Sequence, residues 1–236
     1  MKTPPQILFD SGENSLSYFE KLLKSVETEG VKSITFLIAA HYPHTQASMN
    51  DFLKKIPVPV SGGVFPEIIY NNHYYSGGML ALLWFDDARI HTFYDASCLD
   101  SELYQQQSPM HHGAEHMASL VFSNTKTRAA EAALDALYYR NGQSTQYSGG
   151  GAAYYGGCDK PSIVTKDGLV SDAMQIVCLP YEQVTRVGHG WSVLSGPHLV
   201  TESEENRVKA LDYQAIKPYF QSLIRNSAEE EAANIT

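Results

Sequence analysis

Apolar residues fall along this chain in short continuous runs separated by stretches with helical spacing, and the same order occurs twice. The run ITFLIAA at 34–40 precedes a helix-like stretch and then VPVSGG at 58–63. The run ASLVFS at 118–123 precedes a second helix-like stretch and then QYSGG at 146–150. After each Ser-Gly-Gly come two further apolar runs, 78–85 with 90–94 and 172–179 with 183–187. Continuous runs without alternation suit strands covered on both faces. A short strand is expected at 7–10, then a helix capped by Ser15 that carries Leu16, Phe19, Leu22, Leu23 and Val26 and stops at Gly30. Thr45 caps a second helix with Met49, Phe52, Leu53 and Ile56, ended by Pro57.

The second copy has an alanine-rich helix from Thr127, closed by Asn141-Gly142. In 101–115 Ser108-Pro109 interrupts the periodicity, so a helix fragment plus loop is expected. Beyond 187 the pattern changes to a strand at 199–202, a turn at 204–206, a returning strand at 206–211 and a short helix around Pro218. Residues 227–236 are acidic and unpatterned and read as a frayed tail. The fold class expected is mixed α/β (α+β): internally duplicated β-α-β-hairpin units packed as one pseudo-symmetric domain with a ligand-sized seam between its halves.

Composition narrows the function classes. With 236 residues, 43% hydrophobic and 11% aromatic, the chain can build a sizeable core. A net charge of −9 and the lack of any Lys/Arg block argue against a nucleic-acid surface. No apolar run reaches the ~18 residues of a membrane span, and no signal peptide is visible, so a cytoplasmic protein without membrane contact is expected. Cys98, Cys158 and Cys178 show no CxxC spacing, which argues against a disulfide framework or a cysteine-rich zinc site.

The candidate chemistry centres on glycine. Ser61-Gly62-Gly63 and Ser148-Gly149-Gly150 can bring main-chain N–H groups close to a small anion or a carboxylate; the plainer reading is a pair of chain-reversing turns. Trp191 can wall a pocket or anchor a core. Tyr70, Tyr74 and Tyr75 follow the first Ser-Gly-Gly as Tyr154 and Tyr155 follow the second, and are expected to face each other across the seam. His111, His112 and His116 form the densest histidine group, but Pro109 and Gly113 weaken a helix there, so they read as solvated loop residues. His41-Tyr42-Pro43-His44 follows a strand end, where α/β sites sit. Asp86-Asp87 reads as a solvated turn pair. With no GxSxG, P-loop or HExxH, nothing in the motifs points to an enzyme.

The closing stretch supplies a family. Gly188, Gly190, Trp191, Gly196, Pro197, Val200, Thr201, Asn206, Leu211 and Asp212 stand in an order that resembles the end of the N-terminal FIST domain, and the two glycine segments match it too. The resemblance covers about residues 1–220, leaves 221–236 as an acidic flexible tail, and lacks a counterpart of the family's usual C-terminal FIST domain. It implies a sensory domain that binds a small molecule such as an amino acid. It also implies a signalling partner: a histidine kinase, a cyclic-di-GMP enzyme or a chemotaxis receptor. No cofactor is expected from the main branch. One haem-binding branch that senses nitric oxide offers an alternative, with His189 and His198 as candidate axial ligands.

Overall fold

The computed structural model of the chain describes residues 3–13, 15–94, 117–124, 134–135, 138, 145–155, 160–186, 188, 190–193, 195–204 and 207–234. It divides into two compact units, Met1–Thr185 and Arg186–Thr236.

In the first unit a six-stranded sheet runs in the order β1-β6-β2-β3-β10-β11. Its strands are β1 (Gln6–Asp10), β2 (Ser33–Ala39), β3 (Val60–Phe65), β6 (Met79–Trp84), β10 (Ile163–Thr165) and β11 (Gly168–Val170). A four-stranded sheet, ordered β7-β12-β8-β9, comprises β7 (Arg89–Tyr94), β8 (Met117–Asn124), β9 (Thr145–Ala152) and β12 (Ala173–Leu179). In each sheet a parallel pair, β2 with β3 or β8 with β9, is flanked by an antiparallel neighbour, β6 or β12.

Two helices cover one face of the larger sheet. Helix α1 (Ser15–Thr28) buries Phe19, Leu22 and Val26 and precedes Gly30, whose φ of +74° suits the residue just past a helix end. Leu16, expected in the apolar stripe, is 75% exposed because its first-turn position points away from the sheet. Helix α2 (Gln46–Lys55) starts at Thr45, whose side chain accepts the Ser48 N–H at 3.2 Å. At its other end Lys166 Nζ, in the turn between β10 and β11, donates to the carbonyls of Leu53, Lys54 and Ile56, satisfying acceptors the helix leaves free.

Strand alternation then sorts the core. Ile34, Phe36 and Ile38 of β2, with Met79, Ala81 and Leu83 of β6, pack under the helices. Leu37, Leu82 and Trp84 turn to the opposite face and meet Ala118, Phe122, Ala173 and Val177 of the smaller sheet. The result is helices, then sheet, then sheet.

Three expectations are corrected. Ser61–Gly63 and Ser148–Gly150 are not turns but lie inside β3 and β9. Runs 78–85 and 90–94 do not form a hairpin: β6 already has β1 and β2 on its two edges, so β7 joins the other sheet beside β12. Residues 183–186 form no strand, and Val184 is exposed there. Residues 95–116, with His111, His112, His116, Cys98 and the interrupted segment at 101–115, lie outside the described residues. So does Cys158, and so does most of the second-copy helix, of which Leu134, Asp135 and Tyr138 are helical.

A small hairpin, β4 (Ile68–Tyr70) with β5 (His73–Tyr75), turns through Asn71 and Asn72 at φ +49° and +63°. In the second unit β13 (Val200–Glu204), β14 (Arg207–Leu211) and β15 (Gln214–Ala215) form a sheet, followed by helix α3 (Ile216–Asn234). Pro218 sits in the first turn of α3, where a missing N–H breaks no helical bond. The helical backbone continues through residues 227–234, where the pattern predicts fraying.

The two central glycines test this architecture. A Cβ on Gly149 would lie 1.9 Å from the carbonyl oxygen of Val121, at φ +140°, whereas one on Gly150 meets nothing within 4 Å. Gly149→Ala is expected to cost about 3 kcal/mol or more. Gly150→Ala is expected to stay within about 1 kcal/mol. Urea unfolding of the two variants measures the contrast.

Candidate functional site

The first Ser-Gly-Gly is occupied by the fold itself. Gly62 (φ +127°) opposes Phe36 so closely that a Cβ would lie 1.9 Å from the Phe36 carbonyl oxygen. Its N–H donates to Gln175 Oε1 at 2.8 Å. Ser61 belongs to a buried relay in which Trp84 Nε1 donates to Thr35 Oγ1 (2.9 Å), Thr35 to Ser61 Oγ (2.8 Å), and Ser61 to the Ile34 carbonyl (3.4 Å). A hydroxyl has one proton to give, and this order satisfies every member. Gly63 faces Ala152 of β9, where an added Cβ would come within 2.8 Å of the Ala152 Cβ.

Ser148, Gly149 and Gly150 instead line a cavity of about 480 Å³ with Leu37, Phe65, Leu82, Leu120 and Phe122. Its walls come from both sheets and are almost wholly apolar. Among the described residues on its lining, Glu67 is the one that carries a charge.

A second cavity, of about 330 Å³, is polar. It opens where the parallel strands β2 and β3 end and α2 begins, the position at which α/β sheets hold ligands. Ala39, Ala40 and Tyr42 leave β2 into it, Thr45, Gln46 and Met49 come from the start of α2, and Tyr154, Lys160 and Leu169 close it. Tyr42 is anchored from behind, donating to the buried Asp10 carboxylate at 2.6 Å. Burial and that carboxylate push the Tyr42 phenol far above its ordinary range, so it remains a hydroxyl. Tyr18 beside it donates to the Leu8 carbonyl at 3.1 Å and is raised by the same causes. The His44 ring lies tilted against Phe19, with centroids 4.7 Å apart, and its buried Nε2 has no hydrogen-bond partner among the described residues. Tyr154 is raised by burial, and Lys160 Nζ stands 5.2 Å from the centre of its ring.

A lysine ammonium, a tyrosine hydroxyl and a helix N-terminus converging on one cavity suit a carboxylate-bearing guest. The loop 41–44 carries a readable signal, because it follows a strand. Lys160 and Gln46 do not, since their role exists only once segments more than 100 residues apart meet.

Elsewhere the site residues scatter. Tyr70 and Tyr75 pack on Phe9, with ring centroids 4.5 and 4.6 Å apart, and Tyr74 is exposed, so these tyrosines do not face Tyr154. Asp86 is not simply solvated: it accepts the Tyr181 hydroxyl at 2.9 Å, and burial together with that carboxylate pushes the phenol up to about 12. In the second unit Trp191 is 82% exposed. His189 lies outside the described residues. His198 has Nδ1 against Asp212 and Nε2 against Ser195, both at 2.7 Å.

The described residues of the first unit thus line an apolar and a polar cavity in a sheet-and-helix body. The FIST N domain family matches residues 33–214, and the chain belongs to that family. FIST domains are sensory domains of signal-transduction proteins. A search of curated proteins finds no match. No helix among the described residues is long and apolar enough to cross a membrane.

The pH dependence of folding reports on the polar cavity. Burial holds the His44 imidazole below its ordinary value of 6.5, with the Asp10 charge opposing. The unfolded chain therefore takes this proton first, so His44 subtracts stability as pH falls through that ordinary value. Between about pH 7.5 and about pH 5.5 the melting temperature is expected to fall more steeply for the natural chain than for His44→Gln.

Proposed function

We propose that this domain is a cytoplasmic sensor that binds an amino acid or a similar small carboxylate in the cavity at the ends of β2 and β3. It passes the bound state to a signalling protein, such as a histidine kinase, a cyclic-di-GMP enzyme or a chemotaxis receptor. The observation that carries the reading is the convergence of Lys160, Tyr154 and the α2 N-terminus on a cavity of about 330 Å³, within the range of small-ligand sites. The buried Nε2 of His44, without a partner among the described residues, adds a polar group for a guest to satisfy. The same reading takes the two sheets as repeats of one unit, supported by their shared order of strands and by the paired close approaches at Gly62 and Gly149.

Binding acts here by population shift, with no reaction step at this cavity. A guest that closes Lys160 and Tyr154 onto α2 stabilises one arrangement of the 41–46 loop over others, and the partner reads the difference.

Thermal melting against the twenty amino acids tests the reading. A true ligand at about 100 times its Kd stabilises by about 2.7 kcal/mol. Lys160→Ala is expected to weaken its binding about tenfold or more, while Tyr154→Phe, which keeps the ring, weakens it less. If no amino acid raises the melting temperature, and native mass spectrometry finds no small molecule that Lys160→Ala loses, the proposal is wrong.

A further inference from the structure

The second compact unit holds an arrangement that the sensory reading does not use. Ser195 Oγ lies 2.7 Å from Nε2 of His198, and Nδ1 of the same ring lies 2.7 Å from Oδ2 of Asp212. Asp212 is itself held: its Oδ1 accepts the Leu199 N–H at 2.9 Å, and its own N–H donates to the Leu199 carbonyl at 2.9 Å. The Leu199 N–H and then the His198 ring hold its carboxyl below the usual carboxylate range, so it is an anion that only accepts. It therefore fixes the ring proton on Nδ1 and leaves the Nε2 lone pair aimed at the serine hydroxyl. Tyr219 of α3 stands edge-on to the ring, its hydroxyl 3.1 Å from Nδ1 and 3.4 Å from Nε2, so that Ser195 at 2.7 Å is the nearer partner of Nε2.

Residues 195 and 198 precede β13 and residue 212 follows β14; pairing of Val200 with Leu211 brings them together. The absence of GxSxG does not bear on this, because serine-histidine-aspartate sets are defined by geometry and occur in several chain orders.

We propose that Ser195 is a nucleophile, His198 its general base and Asp212 the residue that positions the base, and that this unit cleaves small activated esters of carboxylic acids. Ser195 Oγ bonds to the ester carbonyl carbon as its proton passes to His198 Nε2, and Asp212 steadies the imidazolium. The tetrahedral adduct collapses, the C–O bond to the alcohol breaks, and the alcohol leaves with the proton from Nε2. Water then adds to the acyl carbon, giving its proton to Nε2. The bond to Ser195 Oγ breaks, that oxygen recovers the proton, and the acid departs. Ser195 and Asp212 are exposed, so water competes with the relay, and esters with good leaving alcohols are favoured over amides. The exposed Val193 and Leu199, within four residues of Ser195, offer apolar surface for the acyl chain.

The competing account is that these bonds only pin the loop to the hairpin turn. Treating the full chain with an alkyl fluorophosphonate, with intact-mass and peptide mapping, separates the two. The expected result is a single adduct on Ser195, absent from Ser195→Ala, unchanged in Ser203→Ala and formed about tenfold more slowly or worse in Asp212→Asn. Asp212→Asn keeps an oxygen for the Leu199 N–H; should it fail to fold, His198→Gln reads the same dependence. Turnover of p-nitrophenyl acetate is expected to vanish in Ser195→Ala. No adduct on Ser195, equal labelling in the His198 or Asp212 variants, or ester cleavage that survives Ser195→Ala would overturn the proposal. Each result is independent of amino-acid binding.

Discussion

The side-chain amide of Gln175 is the joint on which the first unit turns. It is wholly buried between the two sheets, on the face of β12 that also carries Ala173 and Val177. Its oxygen accepts the Gly62 N–H, and its nitrogen donates to Thr92 Oγ1 at 3.0 Å and to the Val164 carbonyl at 3.1 Å. Only an oxygen can receive the glycine N–H, so the amide has one workable orientation. Leaving such groups unpaired in an apolar interior costs about 1–3 kcal/mol each, which makes the sheet–sheet alignment far more specific than greasy contact alone. The glycine at 62 belongs to the same constraint, since a side chain there would strike β2.

With the sheets locked by that joint, the rest of the first unit follows. The larger sheet must bury both faces, and α1 with α2 covers the one that Gln175 does not reach. Covering it places the N-terminus of α2 beside the ends of β2 and β3. Tyr42, tied to Asp10, then directs the 41–44 loop across the opening. The polar cavity thus exists because the helices have a core to cover, and its chemistry comes from the few polar groups left at the edge of that core.

Most of the elements are legible from pattern alone where the pattern is strong. The run at 34–40 reads as a doubly covered strand because it is apolar without alternation, and in β2 every residue but Leu37 is buried; Thr45 with Pro57 brackets α2 by capping and by a missing donor. The hairpin after 199 is legible from its turn. Pairing is a different matter. Residues 78–85 and 90–94 look like partners from spacing, yet which strand lies beside which depends on whose edges are already taken. The Ser-Gly-Gly segments show the same limit from the other side. Glycine signals an unusual backbone position, but a tight turn and a close strand-to-strand approach demand it equally.

The sequence by itself determined the longer strands, helices α1 and α2, the apolar faces and the family, because each of these is written in local spacing or in a contiguous motif. Tertiary structure alone decided that Gly62's N–H serves the fold, that Tyr154 meets Lys160 at the head of α2, and that Ser195, His198 and Asp212 form one hydrogen-bonded line. The physical reason is that a hydrogen bond has a reach of about 3 Å. Whether two side chains fall within it is set by how sheets and hairpins bring distant segments together, and no local pattern records that distance.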